Sequence, residues 1–127
     1  MPYVPPGEAL NLRAVDLERI RQELGRPPWR KPLVGTAAAR WVLSEWPAGY
    51  VAPAHHHPRA DEVFLVLRGR ALFRFGDEAA DRVAEAGTLL VAPRGLRHTI
   101  AVPGPEPLLL LVSVAPNDDA PDETIEG

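Results

Sequence analysis

The sequence predicts an all-β domain, an antiparallel barrel or jelly roll with one short helix ahead of it. Short apolar stretches recur along the middle of the chain, separated by turns that contain Gly or Pro. The 127 residues are enough for one domain with a hydrophobic core. Because the chain has no cysteine, disulfides and thiolate metal sites are excluded.

Residues 1–30 are predicted to form a Pro-rich arm and a helix packed on the barrel. The helix should span residues 11–24, with Asn11 or Asp16 as its cap and Gly25 at its end. Two roles stay open for it, a lid or interface helix and a helix packed on the outside of the barrel. Its apolar residues recur at near-helical spacing: Leu10, Leu17, Ile20 and Leu24.

Residues 31–115 are predicted to form the barrel, and residues 116–127 an acidic tail. Strand alternation should leave Val63, Leu65 and Leu67 as an apolar stripe outside the barrel. Such a stripe needs a cover, which the helix or a second subunit could supply. The residues expected to face the interior are Val51, Pro53, Phe64, Val66, Phe73, Phe75, Ile100 and Val102.

Three of the four histidines stand together in the middle of the chain. On a strand, His55 and His57 point to one face and His56 to the other, so His56 is interpreted as a structural residue. Pro58 should end this strand, because it cannot donate to a ladder. Glu62 opens the return strand, where it can face the two histidines.

The fourth histidine, His98, begins another predicted strand after a turn that contains Pro and Gly. Three neutral imidazoles and one carboxylate suit a divalent ion of Fe, Mn, Ni, Zn, Co or Cu. They would leave coordination positions open, as a catalytic site needs. The predicted metal ligands are therefore His55, His57, Glu62 and His98. Taken alone, Glu62 could instead be a surface carboxylate.

Two stretches of the chain, residues 49–69 with the three histidines and residues 87–102 with His98, resemble the paired motifs of the cupin superfamily. The resemblance is to its small single-domain form, with the conserved barrel of the cupin-2 type. The first follows the pattern G-x5-H-x-H-x4-E-x6-G and the second the pattern G-x5-P-x-G-x2-H. Val102 stands where the family usually has Asn; that Asn is not a ligand, so only a polar contact is lost. The matching residues are Gly49, His55, His57, Glu62, Gly69, Gly87, Pro93, Gly95 and His98.

The resemblance implies a double-stranded β-helix that binds a divalent metal and a small molecule, commonly as a homodimer. Among small metal cupins an Fe(II) dioxygenase is the commonest analogue, so a dioxygenase-like oxidoreductase is favoured. A sugar or small-acid isomerase or decarboxylase, and a non-catalytic ligand-binding or metal-sensing module, stay open. Because no separate base is present, general base work would fall to a metal-bound hydroxide or to Glu62, which is the candidate catalytic residue. The predicted substrate pocket consists of Trp46, Tyr50, Phe64, Phe73, Phe75, Arg97 and Ile100.

The charge pattern bears on partners and location. The net charge is −3 and the chain has no basic run, so no nucleic-acid partner is predicted. No apolar run approaches the ~20 residues of a membrane span, and the first ten residues lack the pattern of a signal peptide. A cytoplasmic location without membrane association is therefore expected.

Overall fold

A computed structural model describes residues 14–77, 81–117 and 123–124 of the chain. For residues 54, 55, 123 and 124 it describes the backbone alone. The predicted arm and the predicted helical residues 11–13 lie outside the described residues, as does most of the predicted acidic tail.

The described residues form one helix and ten strands. The helix α1 is Leu17–Leu24. The strands are β1 Trp29–Gly35, β2 Arg40–Trp46, β3 Val51–His56, β4 Asp61–Arg68, β5 Arg70–Phe75, β6 Arg82–Glu85, β7 Leu89–Ala92, β8 His98–Ala101, β9 Leu108–Ala115 and β10 Glu123–Thr124.

The strands make two five-stranded antiparallel sheets that face each other. One sheet has the order β1-β2-β9-β4-β7 and the other the order β10-β3-β8-β5-β6. Their inner faces supply the hydrophobic core, in which Phe64, Phe73 and Ile100 are among the largest fully buried side chains. The predicted all-β jelly-roll fold is confirmed.

The helix is shorter than predicted. Asp16 caps it, because its carboxylate accepts a hydrogen bond of 3.1 Å from the backbone N–H of Arg19. Gly25 ends it with a positive φ of 70°. None of its residues is buried, and an ion pair of 3.3 Å between Glu18 and Arg68 ties it to β4. Within the described ranges, no helix has both the length and the apolar character needed to cross a bilayer.

The alternation predicted for β3 is wrong at its start. Val51 is 64% exposed, whereas Ala52 is 6% exposed and packs in the core opposite Ile100. The reason is a register shift between Ala52 and His55, where three steps along β3 match two along β8. A bulge of this kind breaks the two-residue period, so residues before and after it follow different parity.

The outer face of the first sheet is apolar over several strands. Val63 of the predicted stripe pairs with Val91, and Leu65 pairs with Leu89. Val91 is 51% exposed and Leu89 60% exposed, so the apolar surface extends beyond the predicted stripe to the edge strand β7.

Candidate metal centre

Two histidines and one carboxylate meet between the sheets. The Nε2 atom of His98 lies 2.8 Å from Oε1 of Glu62, and Nε2 of His57 lies 3.3 Å from the same oxygen. All three residues are buried. Three of the four predicted ligands are thus brought to one point.

The strands explain why Glu62 and His98 face each other. Glu62 is the second residue of β4, on the inner face, between Val114 of β9 and Ala92 of β7. His98 opens β8 in the opposite sheet, and the Phe64 ring packs edge-on against its imidazole with centroids 5.3 Å apart. A buried carboxylate in these apolar surroundings requires a cationic or hydrogen-bonding partner.

Backbone hydrogen bonds join the two sequence motifs. The N–H of Gly95 donates to the carbonyl oxygen of His57 at 2.8 Å. The neighbouring N–H of Arg94 donates to the carboxylate of Asp61 at 2.9 Å. Gly95 has a φ of 78°, which L side chains rarely adopt, so the turn before His98 needs glycine there. The turn thus joins the backbone of His57 to the segment that leads into His98.

A second hydrogen bond sets the tautomer of His98. Its Nδ1 lies 3.1 Å from the carbonyl oxygen of Leu96, and a carbonyl oxygen can only accept. The Nδ1 atom therefore carries the proton, which in the neutral ring leaves the Nε2 lone pair directed at Glu62. Two lone pairs at 2.8 Å repel unless a cation, either a proton or a metal ion, lies between them.

The separations within the cluster fit neighbouring ligands of one metal ion. Ligands at right angles and 2.0–2.2 Å from a metal lie about 3 Å apart, close to the 2.8 and 3.3 Å seen around Glu62. As placed, no three described His, Asp or Glu side chains form a complete cation-binding group by themselves. Their donor set is nevertheless the kind that transition metals prefer.

The other two histidines lie at the end of β3. The backbone of His55 pairs with that of His98, while the side chain of His55 lies outside the described part of the structure. His56 is half-buried and is the last residue of the strand. The fourth predicted ligand, His55, therefore stays a prediction.

A cavity of about 400 Å³ reaches Glu62 from the open side of the barrel. Trp46 and Tyr50 form part of its wall, with stacked rings whose centroids are 4.8 Å apart. The lining residues are Pro28, Trp29, Arg30, Arg40, Val42, Ser44, Trp46, Tyr50, Ala52, Pro53, Glu62, Phe64, Ile100, Val112 and Val114.

The cavity contains some of the predicted pocket residues and lacks others. Phe73 and Phe75 are not part of its lining and pack in the core instead. Arg97 is not part of the lining of this cavity either: its guanidinium lies 3.0 Å from the Asp77 carboxylate, at the turn after β5. The predicted residues that do line the cavity are Trp46, Tyr50, Phe64 and Ile100.

Sequence reasoning missed two basic residues of the lining, Arg30 and Arg40. Arg40 has the same strand parity as Val42, Ser44 and Trp46, and Trp46 was predicted to line the pocket. That alternation was the signal that could have identified it.

The fold is shared with proteins of known structure, and the sequence is similar to parts of longer plant proteins. A Klebsiella pneumoniae protein with a double-stranded β-helix domain superposes with a TM-score of 0.77 and 25% identity, covering 91% of this chain and 99% of that one. Germin-like protein subfamily 3 member 2 of Arabidopsis thaliana is 34% identical over 74 residues, 56% of this chain and 33% of that protein. Oxalate oxidase 1 of Hordeum vulgare is 32% identical over 85 residues, 50% of this chain and 42% of that protein.

The chain spans less than half the length of these two plant proteins. The family model described as "Cupin domain" matches residues 42–114, which is more than half of the chain and includes every residue of the buried cluster. The chain belongs to the cupin family.

Proposed function

We propose that this cupin binds a divalent transition-metal ion and uses it to act on a small molecule. The proposed ligands are His55, His57, Glu62 and His98. The observation that carries the proposal is the meeting of the His57 and His98 Nε2 atoms at Oε1 of Glu62, at the inner end of an open cavity. A purely structural cluster would not need access to solvent.

When bound, such a metal ion acts as a Lewis acid that polarises an oxygen atom of the substrate. The chain's own residues control where protons are held around the site. Leu96 keeps the proton of His98 on Nδ1, so that Nε2 stays available as a ligand. Glu62 is the carboxylate in the cavity lining that can take up a proton, at Oε1, when it is not engaged as a ligand.

The apolar walls determine the environment of the reaction. Phe64, Val112 and Val114 line the cavity together with Glu62 and make that part of its wall apolar. In a site of low dielectric, the interaction of Glu62 with a cation or a polarised substrate is stronger than in water. This setting favours an enzyme over a protein that only stores metal.

We propose an oxidoreductase of the oxygen-using, dioxygenase-like type as the reaction class. Support comes from Oxalate oxidase 1, whose name describes an oxidase and which is 32% identical over half of this chain. The residues of the cluster do not select between this class and a metal-dependent isomerase or decarboxylase. The third candidate function is the binding of a small molecule without its chemical conversion.

The experiment combines metal analysis with oxygen uptake. Untagged protein is purified, its metal content is determined, and oxygen consumption is followed with small carboxylic acids in the presence of the metal found. Oxygen uptake that disappears with chelator and returns with metal supports the oxidoreductase. Metal-dependent conversion of the acid without oxygen uptake would instead indicate an isomerase or decarboxylase. Ligand-induced stabilisation without turnover would indicate a binding module.

We also propose that the chain forms a homodimer through the outer face of its first sheet. Trp41 of β2 is 40% exposed on this face, and Val91 and Leu89 of β7 are exposed at its other edge. The sheet register connects Trp41 to Val91 through the buried Ser113 and through Val63, and Leu89 lies two residues before Val91 on the same face. Large apolar side chains exposed on two strands of one sheet face are typical of a protein interface.

A further inference from the structure

We infer that the cavity binds a small organic carboxylate, with the anionic group held by Arg40 and Arg30. This inference deepens the proposed function, on which it rests for the role of the Glu62 end of the cavity. It is carried by the position of two guanidinium groups in a lining that is otherwise largely apolar.

Arg40 and Glu62 lie on one row across the sheet. Arg40 of β2 pairs with Val114 of β9, and Val114 pairs with Glu62 of β4. Residues paired in this way share a face, so both side chains belong to the inner face of the sheet. With strands about 4.8 Å apart, their Cα atoms are separated by roughly 10 Å, and a small molecule can bridge that distance above Val114.

Arg30 supplies a second positive charge to the same cavity lining. It pairs with Ser44, which lies four residues along β2 from Arg40, so the two Cα atoms are roughly 14 Å apart and the two long side chains would approach one anion from different sides. In the described part of the chain Arg30 makes no ion pair, so its charge is not offset by a carboxylate there.

The charges of the cavity lining are arranged with opposite signs at opposite ends. The positive end has Arg30 and Arg40, and the inner end has Glu62 engaged with His57 and His98. Between these ends the wall is formed by side chains such as Val42, Phe64 and Val112. The complementary ligand has a carboxylate at one end and a compact, largely apolar body.

A carboxylate fits the positive end better than a neutral polar group does. The planar guanidinium offers two parallel N–H groups that match the two oxygens of a carboxylate. Arg40 already donates from Nη1 to the side-chain oxygen of Asn117 at 3.3 Å, which helps to fix its orientation. A guanidinium positioned in advance loses less entropy when the ligand binds.

The test uses benzoate and benzamide, which have the same ring and nearly the same shape but differ in charge. Dissociation constants are measured by calorimetry on the full chain as purified. We expect benzoate to bind roughly tenfold or more tightly than benzamide, because a charge-assisted hydrogen bond is lost with the amide. Equal affinity for the two probes, or failure of benzoate to bind, would overturn the inference.

Three variants locate the anion. Arg40→Gln should bring the ratio of the two affinities close to one, and Arg40→Lys should keep part of the preference. Arg30→Gln should reduce the preference severalfold. Lys31→Gln is the matched control, since it removes one positive charge from the adjacent position of β1, paired with Leu43 on the outer face. A Lys31→Gln protein that loses the preference as fully as Arg40→Gln would show that only net charge matters. Circular dichroism and melting confirm that each variant is folded.

Two further measurements separate this inference from the metal proposal. After chelation, benzoate should still bind more tightly than benzamide, and Arg40→Gln should still abolish the difference. If the preference for benzoate disappears on chelation and is unchanged in Arg40→Gln, the metal binds the anion. The inference is then wrong, while the metal proposal stands. If the protein never binds metal yet shows the Arg40 dependence, the metal proposal fails and the inference stands.

Tighter binding of phenyl phosphate than of benzoate would overturn the assignment to a carboxylate.

Discussion

The backbone N–H of Gly95 donates a 2.8 Å hydrogen bond to the carbonyl oxygen of His57. This bond joins a turn of the second motif to the end of the histidine strand of the first, although the two residues lie far apart in sequence. Because His98 follows the turn by three residues, the bond also determines where its imidazole lies relative to Glu62. The candidate metal centre therefore depends on backbone contacts as much as on its side chains.

His57→Ala should remove the metal, whereas His56→Ala should not. His57 is buried with its Nε2 3.3 Å from Oε1 of Glu62, and His56 ends the strand on the other parity. We expect metal content to fall at least roughly tenfold for His57→Ala, measured by elemental analysis of the two purified variants. Equal stoichiometry in both would show that the ligand assignment is wrong.

Gly69→Ala should destabilise the fold much more than Gly87→Ala. Both glycines have positive φ, 78° and 92°, so alanine costs ~1–2 kcal/mol at either position. At Gly69 the added Cβ would also collide with the carbonyl oxygen of Pro107, and Leu108 Cα would be at 3.2 Å. At Gly87 it would meet nothing within 4 Å.

The stability difference is measured by urea denaturation of the two glycine variants. We expect a loss of about 3 kcal/mol or more for Gly69→Ala, because the backbone of the strand start at Leu108 must move. The dependence of the unfolding free energy on urea concentration should have the same slope in both variants as in the unmodified protein, so that the transition midpoints report stability. Equal midpoints for the two variants would contradict the collision at Pro107.

The motif glycines and the ligand types were predictable from sequence because each has a strict local requirement. Gly49, Gly69, Gly87 and Gly95 all adopt positive φ, which other residues rarely do. The two-residue period around His57 and the position of Glu62 after the proline turn brought these side chains within 3.3 Å. Local rules of this kind need no knowledge of the partner strand.

The parts that sequence missed depend on partner strands. The bulge after Ala52 is a property of the pairing between β3 and β8, and Val51 and Ala52 are both apolar, so composition did not reveal which one faces the core. The helix was overextended because the near-helical spacing of its apolar residues continues back to Leu10, whereas Asp16, one of the two predicted caps, begins it. Arg40 was missed because a charged residue at a strand start is usually exposed to solvent.

Arg21→Gln should raise the pKa of Glu18. The hydrogen bond from Arg21 lowers the pKa of Glu18 from 4.5 to about 2, with a smaller contribution from the charge of Arg68. A carboxyl group whose pKa is lowered by folding stabilises the folded state above its unfolded pKa. That contribution is lost as the pH falls from about 4.5 through about 2.

The measurement is a carbon NMR titration of the Glu18 carboxyl group. Its midpoint should lie near 2 in the unmodified protein and move towards 4.5 in Arg21→Gln. Arg19→Gln is the control, because Arg19 pairs with Glu23 on the same helix and its removal takes away the same charge. A midpoint near 4.5 in the unmodified protein would exclude the role given to Arg21.

Trp41→Glu and Val91→Glu should each convert the proposed dimer into a monomer. Both residues lie on the outer face of the first sheet, in the row that runs through Ser113 and Val63. A carboxylate placed in an apolar interface loses its hydration without gaining a partner, which weakens association strongly. Light scattering coupled to size-exclusion chromatography measures the mass directly.

The control for the dimer variants is Val51→Glu. Val51 is 64% exposed but belongs to the other sheet, so the same added charge should leave the mass of the dimer unchanged. An unmodified protein that elutes with the mass of one chain, 13.9 kDa, would rule out the dimer. A mass that falls for Val51→Glu and stays constant for Trp41→Glu would place the interface on the second sheet. The exposed side chains of Trp41, Leu89 and Val91 would then need a different cover, because clusters of large apolar side chains on the surface are unusual in a monomeric protein.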